Sequence, residues 1–257
     1  MDRNAAQRFA GAGEGAATLW RRGWEPRYRA IACVRTGGLL GAKVSLGSRH
    51  RPSERPACPL ERARTCPRLD DWLLAAACGE AARWNRGQGS HLRIAVNVGT
   101  RLHVDPRLAE KVAAALVASG LRPERLELEV AGTVGPGIEP RVLRSLSRLR
   151  ELGVRLTLDD ALSGYSNLAY LRVLPFQAIK LGPGLLAEWA SRAARSTRLE
   201  GILELARALR IVTVAEGVED PAQRSRLAEL GCDEVMGGEI EPGGAEAGLS
   251  DCRRMGA

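Results

Sequence analysis

Aromatic residues make up only 4% of this 257-residue chain, and lysine is found at three positions, Lys43, Lys111 and Lys180. With so few aromatic side chains, a core must be built from Leu, Val and Ala. The composition, 45% hydrophobic and 26% charged, is nevertheless that of a soluble globular protein rather than a disordered one. The length suits one large domain, and a single α/β barrel of this size is ordinary.

Metal-binding cysteine pairs, membrane spans and signal peptides are also missing. The six cysteines form no CxxC motif and the three histidines lie apart, so a zinc site is not expected. No apolar run reaches the length of a signal-peptide core or a membrane span. We therefore expect a cytoplasmic protein with reduced thiols and no membrane partner.

The formal net charge of +8 comes from arginines scattered over helical segments. We interpret most of this excess as charge on solvated faces. The alternative is a footprint for nucleic acid or a membrane surface. Since no nucleic-acid-binding motif accompanies the charge, no DNA or RNA partner is expected.

The chain divides by composition into one folded domain and two tails. We expect residues 1–24 to form a flexible N-terminal tail, residues 25–245 the barrel domain and residues 246–257 a C-terminal tail. Inside the domain, residues 49–67 carry several prolines and alternating charges, which exclude regular structure.

Eight apolar runs of strand character alternate with helical patterns. The runs begin at Tyr28, Leu39, Leu92, Leu126, Val154, Ala178, Ile211 and Glu234. Helix termini are signalled by two Asp-Pro pairs and two glycines, at Asp105–Pro106, Asp220–Pro221, Gly120 and Gly231. This alternation predicts the α/β class with a parallel sheet, and eight strands predict a closed barrel.

Polar residues stand at the carboxyl ends of five predicted strands. They are Asn97, Glu129, Asp159 with Asp160, Lys180 and Glu216, with Glu219 one loop step beyond. Functional side chains of α/β barrels lie at this end, and converging oxygen ligands suit a hard divalent cation such as Mg²⁺ or Mn²⁺. The two adjacent aspartates would also repel each other unless a cation or hydrogen-bond donors held them.

Each of these residues has an alternative interpretation that involves no site. Asn97 could form a turn, and Glu129 could be an exposed residue of an alternating strand. Lys180 could be a surface lysine, and Glu216 could cap the next helix. The convergence of five polar strand ends on one rim favours the site, provided that the barrel forms.

Three long blocks resemble the EAL-domain family, the cyclic di-GMP phosphodiesterases of bacteria. They are IAVNVGTRLHVDPRLAEKVAAALVASGLRPERLELEV, LTLDDALSGYSNLAYLRVLPFQAIKL and VTVAEGVEDPAQRSRLAELGCDEVMGG, within Ile94 to Gly238. The resemblance implies a TIM-type (β/α)8 barrel in which two cations activate a water that cuts a phosphodiester.

The resemblance also implies a role for each residue at the strand ends. Asn97, Glu129, Asp159 and Glu216 correspond to cation ligands, and Asp160 to the residue that bridges or activates at the second cation. Lys180 corresponds to the lysine that orients the attacking water. Glu219 corresponds to the acid that supports the ligands.

The chain departs from the family pattern at the motif that gives the family its name. Lys43-Val44-Ser45 stands where Glu-Ala-Leu is expected, and Gly47 stands where an arginine would meet a ligand phosphate. Replacing a carboxylate by an ammonium changes the local charge by two units, and at about 4 Å each pair of unit charges is worth roughly 4 kcal/mol at an effective dielectric near 20. Lys43 therefore either takes the place of the cation, paired with Glu129 or Asp159, or points outward and leaves a weak, open site.

Three functions remain open from the sequence. The first is a degenerate, catalytically inactive EAL-like barrel that acts by binding a protein or a cyclic dinucleotide. The second is a metal-dependent cyclic di-GMP phosphodiesterase with residual activity. The third is an unrelated barrel lyase or isomerase. The candidate partners are cyclic di-GMP, another protein and a second copy of the chain, with either Mg²⁺ or Mn²⁺ or no metal as cofactor.

Overall fold

The computed structural model describes eight segments of the chain, residues 24–48, 67–86, 91–98, 105–131, 139–159, 176–191, 197–218 and 220–240. Eight strands in these segments form a closed barrel in the order of the sequence. They are β1 Trp24–Cys33, β2 Leu39–Ser48, β3 Arg93–Asn97, β4 Leu126–Ala131, β5 Arg155–Asp159, β6 Ala178–Leu181, β7 Val212–Glu216 and β8 Glu234–Ile240. The eight predicted strands and the barrel closure are confirmed.

One strand runs against the predicted parallel direction. β1 pairs antiparallel with both β2 and β8, whereas the pairs from β2 to β8 are all parallel. The cause is the short connection after Cys33, where a turn closed by hydrogen bonds between Cys33, Gly37 and Gly38 leads directly into β2. A parallel pair would need a crossover of a dozen or more residues.

Six α-helices are found in the described segments. They are α1 Pro67–Trp84, α2 Leu108–Ser119, α3 Pro140–Glu151, α4 Pro183–Ser191, α5 Thr197–Ala208 and α6 Pro221–Leu230. They cover the barrel from outside, and most of the buried apolar side chains pack between the two layers. None of the described helices is long and apolar enough to cross a membrane.

The helix signals in the sequence are confirmed at three of four places. Asp220 is the N-cap of α6 and its side chain accepts from the backbone N–H of Ala222, and Gly120 and Gly231 end α2 and α6 in the left-handed conformation. The prediction at Asp105 is wrong, because α2 begins at Leu108. The Asp105 carboxylate instead accepts from the N–H of Arg107 in the preceding turn.

The barrel interior consists of an apolar layer between two charged layers. The apolar layer is formed by Ile31, Ala95, Ala178, Val214 and Met236. The layer at the amino ends of the parallel strands, which we call the lower ring, is formed by Arg93, Glu127, Arg155 and Glu234. The third layer lies at the carboxyl ends, where the sequence predicts the site.

The predicted tails and the proline-rich segment lie mostly outside the described residues. Residues 1–23, 49–66 and 241–257 are not among those the structure describes. β1 begins at Trp24 and α1 at Pro67, the last positions of the predicted tail and of the predicted irregular segment.

Candidate functional site

Four strand ends bring one lysine and three carboxylates together at the carboxyl end of the barrel. Lys180 Nζ on β6 lies 3.2 Å from Glu129 Oε2 on β4, 3.2 Å from Asp159 Oδ1 on β5 and 3.1 Å from Glu216 Oε2 on β7. Lys180 and Glu129 are each 1% exposed, so neither is the surface side chain that the alternative interpretations required. The predicted convergence of these four residues is confirmed.

Lys43 on β2 enters the same group of charges. Its Nζ lies 2.6 Å from Glu129 Oε2 and 3.9 Å from Asp159 Oδ2, and its side chain is 15% exposed. The hypothesis that Lys43 pairs with Glu129 or Asp159 is thus confirmed, and the outward orientation is wrong. The β2–β3 register favours this position, since Gly41 lets β2 approach β3 so closely that a Cβ there would collide with the carbonyl oxygen of Arg93.

Arg29 is a further cation at this end of the barrel, and the strand-end pattern does not predict it. Its Nη1 lies 3.8 Å from Glu216 Oε1, and its side chain is 33% exposed. Site residues are predicted at the carboxyl ends of parallel strands, whereas β1 is antiparallel and brings an earlier part of its length to this rim.

We call the six charged side chains described so far the mouth ring. It consists of Arg29, Lys43, Glu129, Asp159, Lys180 and Glu216. In formal charge, three of these groups are cationic and three are anionic, so the six side chains balance one another. In contrast, an acidic residue at position 43 would leave the same group with two net negative charges.

The ion pairs of the mouth ring shift two pKa values. Burial alone would lower the pKa of Lys180, but the carboxylates of Glu129, Asp159 and Glu216 outweigh burial and raise it. Burial would likewise raise the pKa of Glu216, yet Lys180 and Lys43 hold it below its ordinary value. Both residues are therefore charged at neutral pH.

The remaining predicted site residues are placed differently. Asn97 ends β3 with an exposed side chain and is the register partner of Glu129. Asp160 and Glu219 lie outside the described residues. Asn97, Asp160 and Glu219 therefore remain predictions as site residues.

A divalent cation does not fit the arrangement of the described side chains. Mg²⁺ requires about six oxygen ligands at roughly 2.0–2.1 Å, and here the ammonium of Lys43 contacts the carboxylate oxygen of Glu129 that would face such an ion. Within the described segments, no group of three or more His, Cys, Asp or Glu residues is placed to hold a metal ion. The chemistry that these residues support is ion pairing and the binding of charged groups.

Comparison with known proteins gives relatives from bacterial signalling. A curated protein of Caulobacter vibrioides, called an uncharacterized signaling protein, is 40% identical over 218 residues, which are 82% of this chain and 26% of that protein. The bifunctional diguanylate cyclase/cyclic di-GMP phosphodiesterase MucR of Pseudomonas aeruginosa is 30% identical over 225 residues, which are 85% of this chain and 33% of that protein. The chain thus spans about a quarter to a third of the length of these relatives.

The fold has a counterpart among solved structures. The PaMucR phosphodiesterase in complex with c-di-GMP is similar with a TM-score of 0.76 and 29% sequence identity, over 85% of this chain and 91% of that one. The model of the family described as the EAL domain matches residues 17–242, which include all eight strands. On these grounds the chain belongs to the EAL domain family, and in this member Lys43 pairs with Glu129 at the barrel mouth.

Proposed function

We propose that this chain is a degenerate EAL domain of bacterial cyclic di-GMP signalling, which acts by binding and does not hydrolyse the nucleotide. The observation that carries the proposal is the position of Lys43, whose ammonium pairs with Glu129 and Asp159. The ligand class is supported by the name of the relative MucR and by the c-di-GMP bound to PaMucR. A protein partner is the other kind of ligand that such a domain can take.

Electrostatics supports the loss of metal-dependent chemistry. A divalent cation beside Glu129 would lie next to two ammonium groups, those of Lys43 and Lys180. At about 4 Å and an effective dielectric near 20, each pair of unit charges of like sign costs roughly 4 kcal/mol. The ion would also gain little, because the carboxylates are already neutralised by these lysines.

The proposal is tested by incubating the purified chain with cyclic di-GMP in Mg²⁺ or Mn²⁺ buffer. The nucleotide is then analysed by chromatography. We expect the nucleotide to be recovered intact. A linear dinucleotide that forms only in the presence of metal would contradict the proposal and show that the chain is an active phosphodiesterase.

A second candidate function is a phosphodiesterase with residual activity. It is favoured by one observation, that Glu129, Asp159, Lys180 and Glu216 still converge at the mouth. This candidate predicts product from the wild-type chain and more product from Lys43→Glu. Lys111→Glu is the matched control, because it makes the same chemical change at a lysine of α2 that pairs with Asp71 and Asp105 instead of the mouth-ring carboxylates.

The pattern of the three chains separates the two candidates. If the wild-type chain, Lys43→Glu and Lys111→Glu all yield product, and Lys43→Glu yields the most, the result supports residual activity. Product from Lys43→Glu alone supports the degenerate domain and assigns the loss of activity to Lys43.

A further inference from the structure

Helix α3 carries three arginines along the side that faces solvent. Its other side is buried against the barrel through apolar residues, Val142, Leu146 and Leu149. At 3.6 residues per turn, Arg141, Arg144 and Arg148 fall on one line along the helix, and all three are exposed. We call these three residues the arginine stripe. It extends about 10 Å along the helix axis, at 1.5 Å per residue.

The arginine stripe makes α3 less stable than its sequence could allow. Neighbouring members of the stripe are three and four residues apart, and like charges at these spacings destabilise a helix. No Asp or Glu stands within Pro140–Arg150 to pair with them along the helix. Helix α1, by contrast, pairs Glu80 with Arg83 one turn later. The arrangement on α3 therefore suits an anionic partner better than it suits the helix itself.

The carboxylates near the arginine stripe engage it only at its two ends. Arg141 pairs with Glu139, and the side chains are 60% and 53% exposed. Arg148 lies 3.6 Å from Glu110 on α2, and these side chains are 61% and 60% exposed. Ion pairs of such exposure contribute little. Arg144, in the middle, has no ion pair with any residue that the structure describes.

The surroundings of the arginine stripe indicate what kind of anion fits it. Glu110 lies beside the stripe, and Glu139 and Glu151 stand at the two ends of α3. These carboxylates would repel a uniformly negative surface, such as a nucleic-acid backbone or an anionic membrane. Val117, two turns after Glu110 on the same face of α2, is 84% exposed and offers an apolar contact. A protein partner can place carboxylates opposite the arginines and an apolar side chain against Val117.

We infer that the arginine stripe, together with Val117, is a docking surface for an acidic helix of a partner protein. Carboxylates three and four residues apart on such a helix repeat with the spacing of the stripe. Each guanidinium can also bind a carboxylate through two parallel hydrogen bonds. The surface contains no residue of the mouth ring, so the inference goes beyond the proposed function and does not depend on whether the nucleotide is hydrolysed.

Fluorescence anisotropy of the whole chain with two labelled alanine-based helical peptides tests the inference. Both peptides contain the same glutamates and one leucine. In the one-sided peptide the glutamates lie along one face at the spacing of the arginine stripe, and in the scattered peptide they are distributed around the helix. We expect the one-sided peptide to bind about tenfold more tightly, because only its carboxylates can meet all three arginines at once.

Arg144→Glu should weaken binding of the one-sided peptide at least about tenfold while raising the Tm by about 2–4 °C. The Tm should rise because a glutamate at this position can pair with Arg141 and Arg148, where the wild-type arginine repels both. A higher Tm excludes unfolding as the cause of weaker binding. Arg150→Glu is the matched control, since it makes the same charge change on the same helix outside the stripe. Its affinity should stay within about threefold of wild type.

Two kinds of result would overturn the inference. Equal affinity for the two peptides, no binding of either, or equal losses in Arg144→Glu and Arg150→Glu would show that the stripe is not a docking surface. Tighter binding of a short DNA duplex or of phosphatidylserine vesicles than of the one-sided peptide would show that the partner is not an acidic helix.

Discussion

Lys180 is the side chain on which the mouth ring depends most. It is 1% exposed and contacts three carboxylates from three different strands. Because breaking a buried ion pair leaves uncompensated charge, Lys180→Met should lower the free energy of unfolding by about 3–5 kcal/mol. Urea denaturation at neutral pH measures this loss.

The other lysine of the described segments outside the mouth gives the control for that measurement. Lys111 also meets two carboxylates, Asp71 at 2.9 Å and Asp105 at 2.7 Å, but its side chain is 29% exposed. Ion pairs of this exposure are worth about 0–1 kcal/mol, so Lys111→Met should cost little. An equal decrease in the free energy of unfolding of the two variants would show that burial does not determine how much the Lys180 ion pairs stabilise the protein.

The sequence allowed most of the mouth to be predicted, residue by residue, but not all of it. Glu129, Asp159, Lys180 and Glu216 were found because the carboxyl ends of parallel strands meet at one edge. Arg29 could not be predicted as a mouth residue, because the hydrophobic pattern of β1 does not indicate the direction in which the strand runs. The connection of five residues between Cys33 and Leu39 was the available signal, since it is too short for a helical crossover.

The strands also carry a second charged layer, the lower ring, which the strand-end pattern does not predict. Arg93 Nε on β3 lies 2.7 Å from Glu127 Oε2 on β4, and Arg93 also pairs with Glu234 on β8 across the barrel. Thr157 on β5 donates to Glu127 at 2.7 Å. Glu127 stands two residues before Glu129 on β4, and Glu234 stands two residues before Met236 on β8. Because side chains two residues apart on a strand point to the same face, both acids lie inside the barrel.

Arg93→Met should destabilise the barrel more than Arg155→Met does. Arg93 is 8% exposed and serves both acids of the lower ring, so its loss leaves two buried carboxylates close together. Arg155 is more exposed, and its Nε and Nη2 lie 3.2 Å and 3.9 Å from the same two carboxylates without a hydrogen bond to either. Urea denaturation of the two variants gives the ranking, and the reverse order would contradict the role assigned to Arg93.

The raised pKa of Glu234 predicts how the stability of Arg93→Met depends on pH. Burial raises the pKa of Glu234 above its ordinary value, and Arg93 and Arg155 oppose this rise. Without Arg93 the pKa of Glu234 should rise further. A carboxyl with a raised pKa in the folded state costs stability as pH rises through that pKa, so the deficit of Arg93→Met should shrink on acidification from pH 7 to about pH 5.

The barrel combines these layers into a closed structure in which the described charges of the two rings pair with one another. The mouth ring uses two of the three lysines of the chain, and the lower ring pairs two arginines with two glutamates. The helices close the outside with apolar side chains. The described carboxylates of both rings each meet a lysine or an arginine, so we expect them to need no metal ion for neutralisation.

Thermal unfolding in EDTA and in millimolar Mg²⁺ tests this independence from metal. The Tm of the wild-type chain should be the same in both buffers, because Lys43 already neutralises Glu129. Lys43→Glu should have a lower Tm in EDTA and recover it in Mg²⁺. Metal at about 100 times its Kd stabilises by roughly 2.7 kcal/mol, which is about 5–10 °C for a domain of this size. Arg148→Glu, with the same charge change at an exposed arginine of α3, should show no response to Mg²⁺. A wild-type Tm that rises by several degrees in Mg²⁺ would contradict the neutralised mouth.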